Sequence, residues 1–274
     1  MKEEKKVTLL AVGIIIGLAA VAALIYFFFS RRPVAEPVIP EAAVVEEEKP
    51  AAEEETAGES ITPLPFPSVS LEESDPAVRE AAFSLSNHPL FSDWLKAGNL
   101  ARKFVAAVDN VANGQSPAAH IDFFKPDGKF LVALAAGGSY IDPRSYTRYD
   151  PAARVLVSLD TVQTMKLYGG MKPLLQEAYA DLGYPGISFE NTLILAIKEL
   201  LRTPVVTGNI RVMEKITTYE MADPYLESLS NAQKHFLRMG PDNVRAVQAK
   251  LREFAALLGV TAAGLPAPKS YQAR

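Results

Sequence analysis

The apolar residues of this chain fall into two patterns. From Val7 to Phe29 they form one run of 23 residues without a charge. From Leu71 onward they recur at helical spacing instead, separated by polar faces and punctuated by Pro and Gly. Between the two patterns lies a stretch rich in Pro, Glu and Ala with little apolar periodicity of either kind.

The first run predicts a membrane-crossing helix over 7–29. At a rise of about 1.5 Å per residue it reaches roughly 35 Å, enough for a hydrocarbon core of about 30 Å. A helix also satisfies its own backbone donors and acceptors, as lipid demands. A cleaved signal peptide would have a shorter apolar region followed by small residues. Here Phe27, Phe28 and Phe29 lead straight into Arg31 and Arg32, and Ala20 and Ala22 lie inside the run. Lys2, Lys5, Lys6 and the amino terminus outweigh Arg31 and Arg32, so the short tail 1–6 is expected in the cytoplasm. The rest of the chain then faces the periplasm, with the inner membrane's lipid as the partner of 7–29.

Residues 30–70 read as a disordered acidic linker. The runs Glu46-Glu47-Glu48 and Glu53-Glu54-Glu55 repel themselves, and too little apolar surface is present to offset ordering entropy. Such a tether spans on the order of 100 Å when extended and about 35 Å as a coil.

Beyond it, residues 71–258 predict one mainly α domain with one or two small β-hairpins, and 259–274 a disordered tail. Four Asp-Pro pairs, at Asp75, Asp142, Asp150 and Asp223, read as helix starts, because Asp accepts orphan backbone N–H groups and Pro needs no donor at the first helical position. Helices are expected near 76–86, 99–112, 143–148, 151–158, 161–182, 189–202, 224–239 (broken near Ser230) and 241–258. The helix at 161–182 is framed by Asp160 at its start and Gly183 and Pro185 at its end. One hairpin is expected over 123–130 across Pro126-Asp127-Gly128, with Gly137-Gly138-Ser139 as a loop. A second pairs Ile210–Met213 with Thr217–Met221.

Charge follows the same division. Residues 1–32 hold five basic and two acidic residues; 33–62 hold one Lys against nine Glu. The remaining 22 basic and 21 acidic residues leave the folded part nearly neutral, so no basic field invites nucleic acid. The chain has no Cys, which excludes disulfides, thiolate catalysis and Cys-ligated metals. His88, His120 and His235 are far apart and have no ligand-spaced neighbours, so neither a metal nor a cofactor is expected. No phosphate-binding glycine loop, zinc-protease motif or nucleophile elbow occurs.

The densest polar-aromatic stretch is Tyr140–Asp150. Arg144, Tyr146, Arg148, Tyr149 and Asp150 form the expected interaction patch, since Arg and Tyr combine contact area with directed donors. Arg144 and Arg148, four apart, would share a helix face and could clamp a carboxylate or phosphate. The plainer reading pairs Arg with the Asp caps and packs the Tyr rings against the core, where Phe91 and Trp94 are also placed. An alternative is an envelope hydrolase using Asp142, Asp150 and Glu177 near Tyr179 as acid and base.

Several stretches in one order carry a further signal: Ser74-Asp75-Pro76-Ala77-Val78-Arg79, Phe104 through Asn110, Asp142 through Asp150, Gln176-Glu177-Ala178-Tyr179 and Leu237 through Asn243. In these the chain resembles the bacterial domain-of-unknown-function family 3014, over about Leu71 to Leu258. The resemblance implies a Gram-negative envelope protein with an N-terminal anchor. It implies no reaction, ligand or site residue. The expectation from sequence is an anchored periplasmic binding or interaction module, with an envelope protein as its partner.

Overall fold

The computed structural model describes residues 62–121, 125–216 and 218–273. The expected membrane helix 7–29, the short tail before it and residues 30–61 of the expected linker lie outside them. Among the described residues no helix is long and apolar enough to cross a membrane.

The helices are α1 (Ser74–Ala82), α2 (Pro89–Trp94), α3 (Leu100–Ala112), α4 (Arg144–Thr147), α5 (Asp150–Ser158), α6 (Thr161–Asp181), α7 (Phe189–Leu201), α8 (Pro224–Glu227), α9 (Asn231–Leu237) and α10 (Pro241–Leu257). The strands are β1 (Val132–Ala135), β2 (Gly138–Ile141), β3 (Val205–Thr207), β4 (Arg211–Glu214), β5 (Tyr219–Met221) and β6 (Ser270–Gln272). The fold is therefore mostly helical, with a small antiparallel sheet of order β1-β2-β4-β5 and a parallel pair β3-β6.

Local chemistry explains most element ends. Asp160 caps α6 by accepting from Gln163 N at 2.8 Å, and Asp223 caps α8 through Tyr225 N and Leu226 N. The expected break at Ser230 is a capping box: Ser230 Oγ accepts from Gln233 N, and Gln233 Oε1 accepts from Ser230 N. Asp75 departs from expectation. It lies inside α1, and its carboxylate accepts from Asn99 N and Leu100 N at 2.7 and 2.8 Å, so it caps α3 instead of its own helix. Helix α2 had no periodicity to reveal it; Pro89 starts it and the His88 ring accepts from Leu90 N.

Four further expectations are corrected. The first hairpin does not use Pro126-Asp127-Gly128. Phe123 and Phe124 lie outside the described residues, and the hairpin is β1-β2, with Val132 opposite Ile141 and Ala135 opposite Gly138. The expected loop at Gly138-Ser139 is thus strand, because the Ala-rich run 131–136 has no alternation to mark a strand end. The second hairpin forms near its expected place as β4-β5, with Thr217 outside the described residues, and β2 joins the two through Tyr140 and Arg211.

The tail 259–273 is not disordered. A short 3-10 turn at Ala262–Gly264 leads to β6, whose Tyr271 lies opposite Val206. Val205 N donates to Lys269 O at 2.8 Å and Ala273 N to Thr207 O at 2.9 Å. Parallel pairing over such a separation leaves no trace in composition.

Residues 62–70 also depart from the linker expectation. They cross α6 at Gly169 and Gly170, where Leu64 N donates to Lys166 O at 2.9 Å. A Cβ on Gly170 would stand 2.1 Å from Leu64 O. The two glycines therefore open the helix surface to a crossing strap, which brings Leu64 and Phe66 onto the main core.

That core joins α1, α2, α3, α6 and α7 through Val105, Leu175, Tyr179 and Phe189. It contains one polar chain: Thr192 Oγ1 donates to Tyr179 Oη at 3.0 Å, and Tyr179 Oη donates to Asp109 Oδ1 at 3.3 Å. A second apolar cluster, Ile141, Val206, Val212, Met221, Leu226 and Leu237, backs the sheet.

Candidate functional site

The residues of the expected patch are adjacent but turn in different directions. Arg144 grips Asp142, with Nη2 to Oδ2 at 2.7 Å and Nε to Oδ1 at 3.1 Å. This contact holds the Asp142 carboxyl below the usual carboxylate range. Arg148 donates to Ser145 O and to Gly128 O instead, so the two guanidinium groups do not share an anion. Tyr146 packs against the sheet cluster, and burial pushes its phenol up to about 12. Tyr149 is buried beside Val205, Phe236 and Val244. Asp150 accepts from Asn243 Nδ2 at 2.8 Å. The plainer reading covers the Arg144–Asp142 pair and the packed Tyr146 and Tyr149 rings; it does not cover Arg148 on the Gly128 carbonyl or Asp150 on Asn243. Glu177, the third carboxylate of the hydrolase alternative, is exposed on α6, while Asp142 and Asp150 are held in the corner by Arg144 and Asn243.

The Tyr149 ring leads to a different site. Its edge meets the His235 ring at 6.3 Å. His235 lines a polar cleft of about 430 Å³, together with Ser116, Tyr219, Glu227, Lys234 and Arg238. Helix α9 supplies Lys234 and His235 from one turn, and Arg238 follows four residues after Lys234, on the same face. The capping box at Ser230 fixes where that turn begins. Ser116 arrives from the segment after α3, and its Oγ lies 3.1 Å from His235 Nδ1.

The charges of the cleft are unequally matched. Lys234 Nζ pairs with Glu227 Oε1 at 2.7 Å, and Glu227 Oε2 also accepts from Met221 N. Lys215 pairs with Glu220 at 3.1 Å. Arg238 forms no close ion pair with a described residue, but its charge acts on Glu227: burial raises that carboxyl, and Lys234, the Met221 N–H and Arg238 together hold it below its ordinary value. Burial, seconded by the Arg238 charge, lowers the His235 pKa from its ordinary value, so the imidazole is neutral at neutral pH. An imidazole, a hydroxyl and a guanidinium with no carboxylate in direct contact are donors for an anionic oxygen group, set against the Glu220 and Glu227 carboxylates of the same cleft.

A model of the family described as "Protein of unknown function (DUF3014)" matches residues 100–255, more than half of the chain. The chain belongs to the DUF3014 family. No curated protein and no solved structure matches it.

The cleft lies wholly within the DUF3014 region; α1, α2 and the strap 62–70 lie before it, and β6 after it. In sequence His235 has no ligand-spaced neighbour and Ser116 belongs to no motif. The Lys234–Arg238 spacing was readable as a basic helix face. The Ser116–His235 contact joins residues 119 apart and had no signal in the sequence.

The helical half of this DUF3014 domain holds cavities of another kind. Two adjoin, of about 340 and about 330 Å³, and both are walled almost entirely by carbon.

Proposed function

We propose that this DUF3014 chain is a single-pass inner-membrane protein whose folded domain is a periplasmic binding module, with the cleft at α9 as its ligand site. The uncharged run 7–29 and the acidic stretch that follows support the anchor and the tether. The observation that carries the ligand site is geometric: Arg238, with no carboxylate in direct contact among the described residues, lines one polar cleft with His235 and the Ser116 hydroxyl. The ligand is an anionic group, a carboxylate or phosphate, on an envelope component.

Inorganic phosphate titrated into the purified full chain is expected to perturb the His235 ring resonances, and Arg238→Gln to abolish that response. An unchanged spectrum at saturating phosphate would remove the cleft as an anion site. A compartment reporter fused after Arg274 tests the topology separately; activity on the cytoplasmic side would overturn the periplasmic placement.

A second reading has one observation in its favour, the Ser116–His235 contact. A serine hydroxyl within reach of a neutral imidazole is the minimum for acyl transfer. No carboxylate among the described residues orients the far side of the His235 ring, and Ser116 Oγ also accepts from Ala118 N. Binding is therefore the better-supported reading. Covalent labelling of Ser116 by a fluorophosphonate, lost in His235→Gln, would reverse that order.

A further inference from the structure

Three pockets in the helical half adjoin, sharing lining residues. The two apolar cavities share Phe104, Ala107, Leu156, Leu159, Thr164 and Tyr168 along their common boundary. A third pocket, of about 180 Å³, shares Met165, Tyr168 and Leu258 with the first cavity, and its outer wall carries Lys172 and Glu190. The Lys172 ammonium stands 2.6 Å from Glu190 Oε2 and 5.6 Å from the centre of the Tyr168 ring. Thr164 Oγ1, at the boundary of the two cavities, is buried with no hydrogen-bond partner among the described residues.

Each feature constrains an occupant. Protein interiors hold few voids larger than a water, and a cavity walled by carbon does not hold water well. Two such cavities side by side, each within the roughly 300–1,000 Å³ range of ligand pockets, suit long aliphatic groups. The buried Thr164 hydroxyl suits one carbonyl or ester oxygen near the point where the cavities meet. The mouth carries one cation and one anion paired with each other, so a head that enters it must replace that pair with both signs of its own: a phosphate for Lys172 and an ammonium for Glu190. A free fatty acid matches the cavities and could pair with Lys172, but it would leave Glu190 without a cation.

We propose that the domain binds a zwitterionic phospholipid, with its acyl chains in the paired apolar cavities, its ester region at Thr164 and its head at the Lys172–Glu190 mouth. This site uses no residue of the α9 cleft and stands whether or not that cleft binds an anion.

The test is lipid retention by the full chain, purified in maltoside detergent, incubated with phosphatidylethanolamine and passed through gel filtration. Lipid around the membrane anchor is common to all variants, so the difference between variants is the readout. Lys172→Glu places two carboxylates at the mouth and is expected to lower retention about tenfold, while Lys172→Glu combined with Glu190→Lys recovers it. Ala107→Trp, which fills the shared boundary, is expected to remove retention while phosphate binding at the cleft survives. Lys172 is half-exposed, so its variant tests the proposal even if Ala107→Trp does not fold. Equal retention by wild type and Lys172→Glu would overturn the proposal, as would equal binding of palmitate and phosphatidylethanolamine by the wild type.

Discussion

The helical half and the sheet side of this domain distribute polarity in opposite ways. Around α3, α6 and α7 the interior is apolar, its one polar chain through Asp109, Tyr179 and Thr192 is paired internally, and open space is walled by carbon. At the sheet side the small cluster behind β2, β4 and β5 is closed, and the open space, at α9, is walled by charged and hydrogen-bonding groups. The helical half thus offers apolar space with charge only at its Lys172–Glu190 edge, whereas the cleft is polar throughout. One fold holds two chemically distinct kinds of pocket, and neither is built from the stretch richest in Arg and Tyr.

Truncating a leucine in each half gives the largest effects and tests the contrast directly. Leu226, fully buried behind the sheet, is expected to cost about 2–5 kcal/mol when replaced by Ala, because a closed cluster leaves a new void. Leu175 is 1% exposed but already borders the second cavity, so Leu175→Ala is expected to fall near the bottom of that range. Urea midpoints measure both. A larger loss at Leu175 would mean that the cavities are filled in solution, and the contrast would fail.

Gly170→Ala comes next. Helix propensity alone favours Ala by about 1 kcal/mol. The clash with Leu64 O opposes it, and we expect a net loss of about 1–3 kcal/mol together with faster proteolysis near residue 64. Stabilisation would show that the strap does not lie on α6.

A smaller effect follows from His235. Its folded pKa is depressed below the ordinary value of roughly 6.5, so the unfolded chain binds the extra proton more readily. Its contribution to stability is present above that ordinary value and is lost as pH falls below it. Melting temperature should therefore decline from about pH 7.5 to about pH 5, and His235→Gln should flatten part of that slope. An identical slope in the variant would remove the buried neutral imidazole from the account. The smallest effect is expected at Arg144→Ala. Arg144 is exposed but its partner Asp142 is nearly buried, so the melting temperature should fall slightly, while phosphate binding at the cleft should not change. Lost binding would return the ligand site to the corner.

Helix content was legible because its signals are local. Asp160 before α6, Gly183 after it and the break at Ser230 each act within one turn of backbone, and the structure places them where the pattern did. The patch at Tyr140–Asp150 was legible only as composition. Whether Arg148 faces a ligand or the Gly128 carbonyl depends on a loop twenty residues away, which no periodicity reports.

Sequence alone was enough to mark the uncharged run 7–29, the acidic stretch, the mainly helical character and the family resemblance, because each rests on contiguous residues. Tertiary structure alone decided that Asp75 caps α3, that the tail pairs with β3, that the strap crosses α6, and that Ser116 meets His235. All four depend on groups brought together across long stretches of chain by burial of the apolar core. A one-dimensional pattern carries no record of which of many equally polar partners that burial selects.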